Sequence, residues 1–162
     1  MSRCAPERTG VLGRAAARYD RPIFIEQGAP VTREIFWLMM TIILTGVMWL
    51  PYILDRVKVR GLKEALDNPK PNAKPQSPWA QRLYFAHTNA GDNIVLFAPL
   101  VLILDARNVS TTLTAAACAV YFWARLAHAL VYAAGIPVAR TVTFMIGWIA
   151  CAVLVLAIFR IV

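Results

Sequence analysis

Four long apolar blocks organise this chain. Ile35 to Leu54 carries no charge, Trp79 to Leu104 contains Arg82 and Asp92, Leu113 to Ala134 contains Arg125 and His128, and Thr141 to Phe159 is again uncharged. Each block matches the roughly 20 apolar residues that one bilayer-crossing helix needs. Within lipid every backbone polar group must be satisfied inside the segment, so blocks this long predict helices. The expected spans are about 35–54, 79–104, 113–134 and 141–159.

The polar connections predict how the helices are joined. The first is long and basic, with Arg56, Lys58, Arg60, Lys63, Lys70 and Lys74. Its second half carries Pro69, Pro71, Pro75 and Pro78, which favours extended chain. The other two, 105–112 and 135–140, are short, and short links make neighbouring helices antiparallel. The expectation is an all-α, integral membrane four-helix bundle of up-down topology. Pro99 removes a donor and crowds the carbonyl of Val95, which predicts a kink in the second helix.

Composition agrees with this pattern. The 162 residues are 59% hydrophobic and only 16% charged, too little polar surface for a water-soluble domain of this length. A net charge of +8 points, in a membrane chain, to orientation and anionic lipid headgroups rather than to nucleic acid. Cys4, Cys118 and Cys151 have neither metal nor redox spacing and read as small packing residues. The chain has no metal-ligand cluster, phosphate loop or Ser-His-Asp pattern.

Lys and Arg set the topology. The first and third loops share one side and hold the basic run with Arg82 and Arg140. Arg33, Arg107 and Arg160 lie on the other. The positive-inside rule places the first and third loops in the cytoplasm and both termini outside. Residues 1–30 argue the other way through Arg3, Arg8, Arg14, Arg18 and Arg21. This extension lacks the apolar core of a signal peptide. Two readings stand: a disordered basic tail, or a mis-assigned start with translation beginning at Val31 on a GTG codon. Either way, one membrane domain occupies 31–162.

The costly residues are the polar ones in the second and third helices. Arg82, Asn89, Asp92, Asn93 and Leu96 follow spacings of three, four and seven, as do Arg125, His128 and Tyr132. Each set lies along one helical face. An ionisable group at mid-bilayer costs about 2.5–3.5 kcal/mol on insertion scales, so these faces must meet protein or a water-filled cavity. At about 1.5 Å rise per residue, Asp92 and Arg125 come to one depth and are expected to pair, within the chain or across a subunit interface. Asn89, His128 and Tyr132 should line the cytoplasmic mouth above them. Taken singly, each residue has a structural explanation: a register-fixing pair, a packed histidine, an interfacial tyrosine. Taken together, they suit an anionic, hydrogen-bonding guest held by Arg82, Arg125 and Arg140. A thiol is the natural nucleophile for such a site, because a guanidinium favours thiolate.

The same residues carry a resemblance. Arg82 to Phe97 (RLYFAHTNAGDNIVLF) resembles the second-helix signature of the MAPEG family, the membrane-associated proteins in eicosanoid and glutathione metabolism. Its pattern is roughly Arg-Ala-His-x-Asn-x-x-Glu-Asn. Phe122 to Arg140 (FWARLAHALVYAAGIPVAR) is similar to the family's third helix, and Trp49 to Arg56 (WLPYILDR) resembles a small bacterial branch. The resemblance covers about Val31 to Val162. It implies a homotrimer in the bacterial inner membrane, with glutathione as co-substrate, a small lipophilic second substrate and no metal. Carried over by position, it implies that Asn89 and Asp92 hold the glutathione backbone and Tyr132 contacts it. Arg140 would stabilise the thiolate, and Arg56 is the match to a first-helix arginine of the site. Two departures stand out: Phe85 replaces the family arginine before Ala86-His87, and Asp92 replaces a glutamate. Losing a charge-assisted contact of this kind costs roughly 1.5–3 kcal/mol. The family resemblance therefore implies either a glutathione-dependent transferase or peroxidase, or a non-catalytic protein binding a lipid or partner in the same cavity. A proton- or solute-handling role for Asp92, His128 and Arg125 finds no inverted repeat to support it.

A start at Val31 predicts a native intact mass lacking residues 1–30. A mass that includes them would contradict it.

Overall fold

A computed structural model describes residues 31–68 and 70–161. The extension 1–30, with its two readings, lies outside the described residues. The described chain is entirely helical, with α1 Arg33–Val47, α2 Trp49–Arg60, α3 Leu62–Leu66, α4 Pro78–Ala106, α5 Thr112–Ala134 and α6 Pro137–Ile158. Four spans are long and apolar enough to cross a membrane: Arg33–Arg60, Pro78–Ala106, Thr112–Ala134 and Pro137–Ile158. The first combines α1 and α2, which meet at Met48. Pro51 has no N–H to offer the carbonyl of Val47 and its ring crowds that oxygen, so the ladder is interrupted one turn earlier. α4 stays helical through Pro99.

Local sequence sets the helix ends. Thr32 caps α1 by accepting from the Ile35 N–H at 3.3 Å. Thr111 and Thr114 form a reciprocal capping box at the start of α5, each satisfying an otherwise orphaned donor. α5 stops at Gly135, whose φ of +79° is left-handed. The Ile136 N–H reaches back to Val131 O at 3.1 Å, closing the turn before Pro137 opens α6.

α5 is the central element, packed against α1, α4 and α6. The apolar core falls into two layers. One gathers Leu38, Phe97, Leu104, Cys118, Tyr121 and Leu154, with Phe97 stacked on Tyr121 at 3.8 Å between centroids. The other gathers Met48, Tyr52, Leu83, Ala86, Ala90 and Ala129. On α5 the sequence between these layers holds Arg125 and His128, and Asn89 of α4 reaches Arg125 from the edge of the second layer. The bundle thus carries a polar storey between two apolar ones.

Each end of the bundle has its own polar fastening. At one, the buried Glu34 carboxylate accepts hydrogen bonds from Ser110 Oγ and Thr114 Oγ1, tying α1 to the start of α5. At the other, Asp55 accepts from the Ser77 N–H at 2.9 Å and from Ser77 Oγ at 2.6 Å. It thereby caps α4 from α2. Gln76 donates to Tyr52 O, and Arg60 Nε donates to Lys74 O at 2.6 Å. Lys70 pairs with Asp67 in the exposed loop and holds that carboxyl below the usual carboxylate range.

Removing a helix cap of this kind costs about 1–2 kcal/mol. Asp55→Ala should lower the unfolding midpoint in detergent and speed trypsin cleavage between Lys58 and Lys74. Unchanged cleavage would show that Asp55 does not hold the loop.

Candidate functional site

Arg125 lies at the centre of the polar storey, on α5 and only 4% exposed. A guanidinium keeps its charge and presents five donors in a rigid fork. Here Nη1 donates to Asn89 Oδ1 of α4 at 3.2 Å, and Nη2 donates to the Phe144 carbonyl of α6 at 3.3 Å. The Tyr121 and Phe144 rings lie on it at 5.5 and 5.3 Å from their centroids, within cation–π range. Gly147 makes room for the fork: a Cβ there would sit 2.8 Å from Nη2 and 3.1 Å from Nε. One side chain therefore joins three helices.

This differs from the expected pairing. No Asp92–Arg125 ion pair forms within the chain; Lys70–Asp67 is the one ion pair among the described residues. Asp92 is exposed on α4. At 100° per residue it stands about 60° round the helix from Asn89, on the exposed shoulder. Within the chain the partner of Arg125 on α4 is Asn89, one turn shallower than Asp92.

Above Arg125, a pocket of about 180 Å³ is lined by Asn89, His128, Tyr132, Arg140, Thr141 and Phe144. The Arg140 guanidinium lies over the Tyr132 ring at 4.8 Å. His128, 4% exposed, meets Tyr132 edge-on at 5.5 Å. Its Nδ1 lies 3.0 Å from Arg140 O and 3.3 Å from Thr143 Oγ1. The structure thus brings Asn89, His128, Tyr132 and Arg140 around one pocket, with Arg125 directly behind it. Among the described residues, Arg125 Nε, His128 Nε2 and Tyr121 Oη are buried with no hydrogen-bond partner.

Two of the arginines are elsewhere. Arg82 Nε donates to Ala133 O at 2.9 Å, and its guanidinium lies 3.1 Å from where a Cβ on Gly135 would be. It braces the C-terminal turn of α5, the end where a cation offsets the helix dipole. Arg56 lines a separate cavity of about 100 Å³ with Arg60, Glu64, Asp67 and Lys70. Phe85 is exposed on α4.

The sequence reading missed three polar features. α6, uncharged within its apolar block, supplies Thr143, the Phe144 carbonyl and Gly147. These share a face with Arg140 at spacings of three and four, which is the signal that could have found them. Tyr52 Oη meets His87 Nδ1 at 2.9 Å, and Glu34 finds the hydroxyls of the Ser110–Thr114 run. No group of three or more potential metal ligands occurs among the described residues.

The fold and polar storey define a multi-pass helical membrane protein with a cationic, aromatic-lined pocket between its second, third and fourth spans. The MAPEG family model matches residues 35–160, well over half of the chain, and the protein belongs to the MAPEG family. Comparison with curated proteins and with solved structures returns no match.

Gly147→Ala should force the Arg125 fork off Asn89 and cost about 1–3 kcal/mol, as overpacking does. In an Arg125→Met background the same substitution should cost much less. Equal costs in the two backgrounds, read from unfolding in detergent, would contradict this packing.

Proposed function

We propose that this protein is a membrane-bound transferase or peroxidase that activates glutathione, or another small thiol, toward lipophilic substrates. The observation that carries this reading is the Arg140 guanidinium, stacked on Tyr132 at the rim of the pocket shared by Asn89 and His128. A cation there stabilises a thiolate, Tyr132 adds a hydroxyl, and Asn89 offers amide hydrogen bonds to a peptide-like guest. Family membership supports glutathione as the thiol. Arg125 lies behind the pocket with neutral partners, so its charge adds to the attraction for an anion. Arg56 and Arg82 lie away from this pocket in the single chain and would join the site only from a neighbouring copy.

The reading extends to assembly. A pocket of about 180 Å³ is below the roughly 300–1,000 Å³ typical of ligand sites, so a tripeptide needs a further wall. Asp92 is exposed at membrane depth, where a carboxylate is costly unless covered. A neighbouring copy in a homotrimer would supply the wall and cover Asp92, letting it hold the guest or pair across the interface. The positive-inside rule supports cytoplasmic first and third loops, and the resemblance of Trp49 to Arg56 to a bacterial branch supports an inner-membrane setting. The functional unit is then 31–162.

A second reading rests on Phe85. With an exposed phenylalanine where the family carries arginine, the cavity has one cation fewer and suits a lipid or partner bound without catalysis.

Glutathione added to purified protein in detergent should raise the ultraviolet thiolate absorbance, and Arg140→Ala should abolish it. Phe85→Arg should tighten binding about tenfold to a hundredfold, as one restored charge-assisted contact would. No heat of binding at millimolar thiol, with lipid retained by the purified protein, would favour the second reading.

A further inference from the structure

His128 offers a chemical detail that the family resemblance does not assign. Its Nδ1 has two neighbours, and both need a hydrogen from it. The Arg140 carbonyl, 3.0 Å away, can only accept. Thr143 Oγ1, 3.3 Å away, spends its own hydrogen on Ala139 O at 2.8 Å or Arg140 O at 3.0 Å, so it too accepts from the ring. In the neutral imidazole this fixes the hydrogen on Nδ1 and leaves a lone pair on Nε2. Nε2 is buried and has no partner. A helix-borne pocket otherwise rich in donors thus contains one oriented nitrogen acceptor.

We propose that His128 is the general base that takes the thiol proton in this pocket; the inference rests on the thiol-activating reading above. The step balances within the site. The S–H bond of the guest breaks, an N–H bond forms at Nε2, and the electron pair stays on sulfur as thiolate facing the Arg140 guanidinium. When the thiolate adds to an electrophilic carbon, the carbanion or alkoxide so formed takes the proton back from Nε2. No outside acid or base is consumed.

The surroundings suit a base that must keep its proton for one turnover. Nε2 is closed to bulk water, so the proton is not lost to solvent. Tyr132 is half-buried and meets the ring edge-on at 5.5 Å, on the pocket side of His128. The charged groups near the ring are Arg125, three residues earlier on α5, and Arg140 on α6; Tyr132 is the titratable neighbour. The Nδ1–H bond to the Arg140 backbone also ties the base to the residue that receives the thiolate, so the two move together.

Two variants separate the base from its structural bond. Asparagine can mimic the Nδ1–H donor and keep the bond to Arg140 O, but it has no basic nitrogen. The experiment compares glutathione with S-methylglutathione on wild type and on His128→Asn in detergent. It reads thiolate absorbance and, by calorimetry in two buffers of different ionisation heat, the protons released on binding. Wild type should form thiolate with almost no net proton release. His128→Asn should bind S-methylglutathione within about threefold of wild type. With glutathione it should either lose at least about tenfold of the thiolate signal at neutral pH or release about one proton per thiolate formed. Release of a full proton by wild type, or a thiolate signal and a proton release both unchanged in His128→Asn, would overturn the base. If wild type binds neither compound, the functional reading itself fails, and the base with it.

Discussion

The rest of the polar storey depends on a buried guanidinium that has no carboxylate beside it. Placing Arg125 inside a bilayer-spanning bundle costs several kcal/mol unless its donors are met. The bundle answers with neutral acceptors, Asn89 Oδ1 and the Phe144 carbonyl, and with two aromatic faces. Because these partners sit on α4 and α6 while Arg125 sits on α5, satisfying one charge fixes the register of three helices. Gly147 is a consequence of the same constraint: the fork occupies the space a side chain would need.

Neutral partners have a second consequence. A carboxylate would cancel the charge, whereas an amide and a carbonyl orient it and leave it in place. Asn89 is oriented in turn. With Oδ1 taken by Arg125, its Nδ2 is the group left to donate. The pocket in front therefore combines a donor amide, the Arg140 guanidinium, a phenol and one imidazole. That set attracts an anion and suits a group that becomes one, in keeping with the thiol guest proposed above.

Much of this was legible in the sequence, because membrane insertion punishes polarity and so makes it conspicuous. The four apolar blocks appear as four spans, and the stripes around Asn89 and around Arg125 to Tyr132 do meet. Within the chain Arg125 meets Asn89 rather than Asp92, because a neutral amide at the right angle serves where a carboxylate on the exposed shoulder does not reach. Arg82 and Arg56 show a related limit, since sequence position gives an arginine's starting point but not where its long side chain ends. On α6 only the spacing of Thr143 from Arg140 pointed to this face, because the Phe144 carbonyl and the space at Gly147 leave no polar signature. Glu34 sits at the very start of its helix, where a carboxylate looks ordinary, and only the fold brings Ser110 and Thr114 to it.

The coupling between Arg125 and Asn89 tests the central constraint most directly, and it needs no ligand. A double-mutant cycle would combine Arg125→Met and Asn89→Ala and follow unfolding in detergent. If Arg125 holds the storey together through Asn89, the two substitutions should couple by about 1–2 kcal/mol, the upper range for interhelical hydrogen bonds in membranes. Additive effects, with coupling near zero, would mean that the guanidinium and the amide merely lie side by side.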